Sequence, residues 1–375
     1  NTLKEKISLQ NPFYKTNDFI EATNILNNSL NNNDKIIILG DYDVDGCVST
    51  SLLVNFLNKL DYKFFSYYVP NRFKDGYGAS LDLVKNLEKQ KPDLIILVDC
   101  GSTSYDAINY LKSKNIKTII IDHHEINKPY PKANCIINPK KTTSYCKFDY
   151  VCASLLVYFF IDTFIKKNMI KINFSQYLPH VLLSSVADVM PLRKLNRVLA
   201  LEVFNNQQNI SFFNKFLEIN KILRPLEIND FGYLIGPILN SAGRLGDANI
   251  VIELLTTKNS FNKEKIIKKL INTNEKRKKI EKVSLNSINL SKIKKNSNHV
   301  IVLSETILNE GIIGIIAARI KEYFNKPSII ITKSNSKYKA SARSTPDFNI
   351  GRYIKEAIDK KLLLNGGGHN LAAGF

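Results

Sequence analysis

Three short apolar runs in the first third of the chain each end abruptly on acid. "KIIIL" (35–39) runs into "GDYDVDG", "DLIILV" (93–98) into "DCG", and "KTIII" (117–121) into "DHHE". Such runs are too short for helices and show no polar alternation, which predicts strands buried on both faces. Between them lie residues 47–60, 79–90 and 104–114, with apolar positions at helical spacing, and two further strands are predicted at 62–69 and 133–138. Short buried strands alternating with helices predict an α/β fold built on a Rossmann-like parallel sheet. Open sheets of this kind place their ligand site at the carboxyl ends of the strands. The acids that follow the runs are therefore expected to converge, although they lie far apart in sequence.

Three carboxylates at alternate positions, Asp41, Asp43 and Asp45, would repel one another beside a buried strand unless a cation neutralised them. With Asp99 and His123 they form an oxygen-rich set carrying one imidazole, which suits Mn²⁺ or Mg²⁺ better than a thiolate zinc site. Several carboxylates around one pocket point to two ions, the standard device for attack on phosphorus when about 3.5–4 Å apart. Asp122 and His124, flanking His123, are expected to orient it or to protonate a leaving group. The bland alternatives are a solvated acidic turn and a structural His pair. Acidic motifs at three sister strand ends favour catalysis.

The rest of the 375-residue chain reads as two further pieces. Residues 150–258 are mostly helical in pattern. Residues 262–295 form a charged stretch whose apolar stripe, Ile266, Leu270, Ile280 and Val283, is too sparse to face a large core, which predicts a long connecting helix. A second, smaller α/β domain follows, with strands at 299–303, 327–332 and 337–343 and helices at 311–324 and 349–360. The expected division is 1–258, 259–297 and 298–375. The ending "NGGGHNLAAGF" reads as a domain cut short.

Composition sets outer limits. Apolar residues make up 44% of the chain, ample for real cores, and no run approaches the length of a membrane span. The start shows no signal-peptide pattern, and five cysteines without a CxxC pair are expected in a reduced, cytoplasmic protein. A formal charge of +19 is compatible with a nucleic-acid partner. The richness in Lys, Asn and Ile is equally that of an AT-rich coding sequence, so charge supports such a reading without making it.

"DHH" after a strand, with "GDYDVDG" before it and "VDCG" between, resembles the DHH phosphoesterase superfamily, and within it the single-strand-specific DNA exonucleases. Further pieces occur in the same order: "VPNRFKDGYG" (69–78), "SSVADVMPL" (184–192), "GPILNSAGRLGDA" (236–248), "NTNEKRKKIE" (272–281), "EGIIGIIAARIKEYFNKPSIII" (310–331), "ASARS" (340–344) and "GGGHNLAAGF" (366–375). The last three resemble the DHH-associated domain. The resemblance implies that Asp43, Asp45, Asp99, His123 and Asp188 ligate two divalent cations, Mn²⁺ or Mg²⁺, with Asp99 bridging and Asp41 a further ligand or supporting acid. His124 and Asp122 sit beside the metals. Arg72, Arg244, Arg343, Ser344, Gly367, Gly368 and His369 would hold the phosphates of the strand.

The implied activity is 5′–3′ hydrolysis of single-stranded DNA to 5′-mononucleotides, in recombination and repair. A cleft between the domains would admit one backbone but not a duplex. Implied partners are a RecQ-type helicase and a single-strand-binding protein, and a monomer is expected. Three departures stand out. Leu39 occupies a position that is His in many members of the superfamily, Asn309 replaces another His, and the oligonucleotide-binding barrel that follows in full-length relatives is absent. The rival readings are a small DHH phosphoesterase acting on short RNA or cyclic dinucleotides, a non-catalytic binding module, and an inorganic pyrophosphatase.

Overall fold

A computed structural model of the chain describes residues 9–76, 78–141, 146–206, 210–294, 299–305, 308–334 and 337–375. Tyr77 of the expected Arg/Tyr/Gly loop and the end of the expected 262–295 helix lie outside these residues. Two compact units divide at residue 271, Asn1–Ile271 and Asn272–Phe375.

The first unit opens with α1 (Asn17–Asn31) and then alternates: β1 (Ile36–Leu39), α2 (Val44–Lys59), β2 (Phe65–Tyr68), α3 (Leu81–Glu88), β3 (Leu94–Val98), α4 (Tyr105–Ser113), β4 (Lys117–Ile121) and β5 (Cys135–Ile137). The five strands form one parallel sheet in the order β2-β1-β3-β4-β5. Every residue of β1 and β3 is fully buried. Period-2 geometry explains why the runs are continuously apolar. Ile36, Ile38, Ile96 and Ile121 point into the core shared with α2 and the helices that follow β5. Ile37, Leu39, Ile95 and Ile120 point to the opposite layer, under α3 and α4.

The register matters for the site. Leu39 pairs with Leu97, and Leu97 with Ile120. Asp41, Asp99 and Asp122 each follow these residues by two positions, so they leave three adjacent strands at one level. The chain order reverses between β1 and β3, which is where such sheets bind ligands.

Seven helices complete the unit's core: α5 (Ala153–Lys167), α6 (Leu178–Ala187), α7 (Lys194–Asn205), α8 (Ser211–Ile219), α9 (Ile228–Asp230), α10 (Gly236–Leu245) and α11 (Asn249–Thr256), with a π-helical turn, Phe231–Ile235, between α9 and α10. The long charged stretch is α12 (Ser260–Ser287), followed by α13 (Leu290–Lys294). Here the sparse-stripe reading is corrected. Ile266, Ile267 and Leu270 are buried in the main core of the first unit, whereas Val283 is 69% exposed. In the second unit the remainder of α12 buries polar groups instead. Arg277 donates to Asn274 and Glu281, and Arg319 also reaches Glu281, at 3.2 Å.

The second unit continues with β6 (Ile301–Ser304), α14 (Ile313–Phe324), β7 (Ser328–Ser334), β8 (Lys337–Arg343), α15 (Ile350–Asp359), β9 (Gly367–His369) and β10 (Ala372–Gly374). Its mixed sheet has the order β6-β7-β8-β10-β9. The β9–β10 hairpin was not expected from the sequence. Among the described residues, no helix is long and apolar enough to cross a membrane.

Candidate metal centre

The turn after β1 folds its acids inward. Asp43 caps α2, its carboxylate accepting from Gly46 N at 3.1 Å. Asp45 lies in the first turn of α2 and is buried. It accepts from Ala153 N at 2.7 Å and Ser154 N at 2.9 Å, the first amides of α5, and from the Ser184 hydroxyl. Asp99 leaves β3 with φ of 60°, in the left-handed region that Asp tolerates better than most residues. Asp188 caps the C-terminus of α6.

After β4, Asp122 is fully engaged. It accepts from the amides of Ser102, His123 and His124 and lies 2.7 Å from His124 Nδ1. His123 Nε2 stands 3.4 Å from Asp99 Oδ1, 3.4 Å from Asp188 Oδ2 and 3.7 Å from Asp45 Oδ2. Two sets of donors emerge, Asp41–Asp43–Asp99 and Asp45–His123–Asp188, each with ligand atoms within 4.8 Å of one another. A third set, Asp99–His123–His124, joins them. Leu39 is wholly buried in the apolar layer, and the Asp41 carboxylate completes the set on that side.

The electrostatics are those of a crowded acid site. Burial, and then Asp43, pushes Asp41 up to about 8. Burial, and then Asp45, holds Asp99 and Asp188 well above the usual carboxylate range. Burial, and then the His124 charge, lowers His123 to about 4, so it is the neutral imidazole that can ligate a cation. For His124 burial disfavours charge, but Asp122 outweighs it and raises the ring to about 9. Burial likewise opposes the charge of Asp122, yet His124 and the hydrogen bonds hold it well below its ordinary value. Asp41 Oδ1, Asp99 Oδ1 and Asp188 Oδ2 are buried with no hydrogen-bond partner among the described residues. Buried carboxylate oxygens without donors are costly unless positive charge faces them. Oxygen-rich donors with one neutral imidazole fit hard divalent cations.

Of the expected phosphate-holding residues, two lie in the first unit. Arg72 donates Nε–H to Gly243 O at 3.2 Å and stacks 4.1 Å over the Tyr42 ring. Arg244 is half-buried in the last turn of α10, where its charge is felt by Tyr42. The others lie in the second unit. Arg343 donates to Ser341 Oγ and Ala342 O and packs over Gly314 in the first turn of α14. Ser344 is buried and bound to its own turn, its hydroxyl donating to Phe348 O at 2.6 Å. Ser341 is thus the hydroxyl beside Arg343. Gly367 and His369 are exposed on β9. Gly368 serves packing, since a Cβ there would meet Ala372 O at 2.4 Å and Ala373 Cβ at 2.5 Å. Asn309 accepts from Gly311 N and shapes the turn before α14.

Sequence reading missed the supporting polar groups. Ser184 fixes Asp45. Asn138 links Ser102 Oγ to His124 O, and Asn240 accepts from Val44 N at 3.1 Å. Ser184 and Asn240 lie inside motifs already noted. Nothing local marks Asn138, which follows β5 in sequence but folds back on the His pair.

The sheet, the register of its acidic ends and the paired donor sets define the DHH phosphoesterase class. Residues 35–186 match the family model "DHH family, N-terminal domain", and residues 297–375 match "DHHA1 domain". The single-stranded-DNA-specific exonuclease RecJ of Haemophilus influenzae is 31% identical over 95% of this chain and 65% of its own length. That of Salmonella typhimurium is 31% identical over 97% of this chain and 67% of its own length. The chain belongs to the RecJ family, and it spans about two thirds of the length of these relatives. A crystal structure of exonuclease RecJ bound to manganese superposes with a TM-score of 0.80 at 26% identity, covering 96% of this chain and 89% of that one. The Mn²⁺ complex of Thermus thermophilus RecJ gives 0.84 at 24% identity, covering 99% and 54%, and speaks for the fold.

Proposed function

We propose that this chain is a metal-dependent nuclease that removes 5′-mononucleotides from single-stranded DNA in the 5′–3′ direction. The carrying observation is the pair of acid–imidazole sets around Asp99, with three buried carboxylate oxygens lacking donors. Asp41, Asp43 and Asp99 would hold one cation and Asp45, His123 and Asp188 the other, with Asp99 between them. When bound, Mn²⁺ or Mg²⁺ supplies Lewis acidity toward a phosphoryl oxygen and lowers the pKa of an attacking water. The manganese-bound relative supports that choice of ion.

The chain's own residues do the rest. Asp122 fixes the His124 ring through Nδ1, which leaves proton exchange to Nε2 and suits it to meet the charge that develops on the leaving oxygen. Arg72 and Arg244 in the first unit, and Arg343 with Ser341 in the second, offer donors for backbone phosphates. The family likeness supports the polarity, the mononucleotide product and a setting in cytoplasmic DNA recombination and repair. It also supports a monomer supplied with strands by a RecQ-type helicase and a single-strand-binding protein.

The test is a digestion with Mn²⁺ of 5′- and 3′-labelled single strands, the matching duplex and a short RNA. Immediate release of labelled mononucleotide from the 5′-labelled single strand is expected. Preference for the RNA, or first release from the 3′ label, would overturn the assignment.

A further inference from the structure

We infer that Tyr42 is the positioning residue that aims Arg72 at the strand's phosphate, an inference that rests on the nuclease reading above. Tyr42 lies between the metal-facing acids Asp41 and Asp43, yet its ring is a platform rather than a donor. It is 8% exposed, with the Arg72 guanidinium 4.1 Å above its centre. A guanidinium stacked on an aromatic face is held electrostatically and in plane. The same side chain is pinned along its stem by the Nε–H bond to Gly243 O at 3.2 Å. Stack and bond together fix the plane of the group. They spend its Nε edge on the protein and keep the terminal nitrogens as the fork that recognises phosphate.

Gly243 closes the arrangement from the far side. A Cβ at 243 would lie 2.3 Å from Tyr42 O, so only glycine lets α10 approach the acidic turn so closely. One turn further back in α10, Asn240 accepts from Val44 N. The acidic turn, the loop carrying Arg72 and α10 thus meet at one ring. The Arg72 charge also acts on the Asp41 carboxyl, which puts the guanidinium within electrostatic reach of the Asp41–Asp43–Asp99 set.

The experiment is a double-mutant cycle, Y42L, R72A and Y42L/R72A, with Y42F as the conservative variant. It is read by Mn²⁺-dependent digestion and by equilibrium binding of a 5′-phosphorylated single strand. Y42L should raise KM and Kd roughly tenfold while kcat stays within about threefold, the scale of one well-formed cation–π contact. Y42F should restore wild-type values. In the R72A background Y42L should add less than about twofold, because the group it positions is gone. Independent, multiplying effects of Y42L and R72A would overturn the inference. So would a loss of Mn²⁺ affinity in Y42L measured by calorimetry, since Tyr42 would then be shaping the acidic turn itself. A wild type that binds the strand without cleaving it would defeat the nuclease reading, and the binding cycle would still decide Tyr42.

Discussion

Asp45 has two tasks that pull in different directions. It belongs to one of the two cation-facing sets, and it also receives the first amides of α5 and the Ser184 hydroxyl. A carboxylate at a helix N-terminus is favoured by the helix dipole and by the unpaired amides there. Asp99 has no such second task, for one of its oxygens lacks any donor and its neighbours are acids. The two residues should therefore separate stability from activity. D45N turns an amide group toward donors and should lower unfolding stability in chelator by about 1–3 kcal/mol, while D99N should leave it unchanged or raise it. Both should abolish hydrolysis. Thermal or urea unfolding of the metal-free variants checks this, and equal destabilisation by both would refute it. From sequence the two acids looked alike, because the partners that tell them apart come from residues more than a hundred positions away. The same limit misassigned the hydroxyl beside Arg343, since alternation along β8 puts Ser341, not Ser344, next to it.

At the level of elements, legibility follows how much each one relies on its own side chains. The five strands of the first sheet were readable because burial on both faces demands an unbroken apolar run. The β9–β10 hairpin was not, because Gly367 and Gly368 carry no side-chain signal and their place is set by pairing with β10. The π-helical turn before α10 leaves no periodic mark either. In α12 the core contact of Ile266, Ile267 and Leu270 is diluted by the lysines around it, so an average over the stretch hides it. That error has a measurable counterpart. Leu270 is fully buried, and L270A should destabilise the first unit by about 2–5 kcal/mol through lost burial and a cavity. Val283 lies on the same helix and is 69% exposed, so V283A should fall within about 0.5 kcal/mol of wild type. Similar unfolding midpoints for the two variants would mean that the helix is surface throughout, as the sequence alone implied.

For the whole molecule, the formal charge of +19 is the feature whose sign is legible and whose use is not. Lysine spread by composition would give a weak, diffuse attraction for any polyanion. Cations that each contact a phosphate give a definite thermodynamic signature, because every neutralised phosphate releases condensed counterions, and log K falls with log salt at a slope of about −0.7 per contact for a single strand. About five such contacts would lower affinity roughly a hundredfold between 50 and 200 mM salt. Hydrolysis of a small diester such as bis(p-nitrophenyl) phosphate uses the metal centre without a strand and should change little over the same range, since charges that deep in the protein are poorly screened. Paired titrations in Mn²⁺, one of strand binding and one of small-diester turnover, separate the two possibilities. A steep slope for the strand with a flat response for the diester assigns the excess charge to phosphate contacts. A shallow slope for the strand would leave the lysine as composition and put the burden of binding on the arginines.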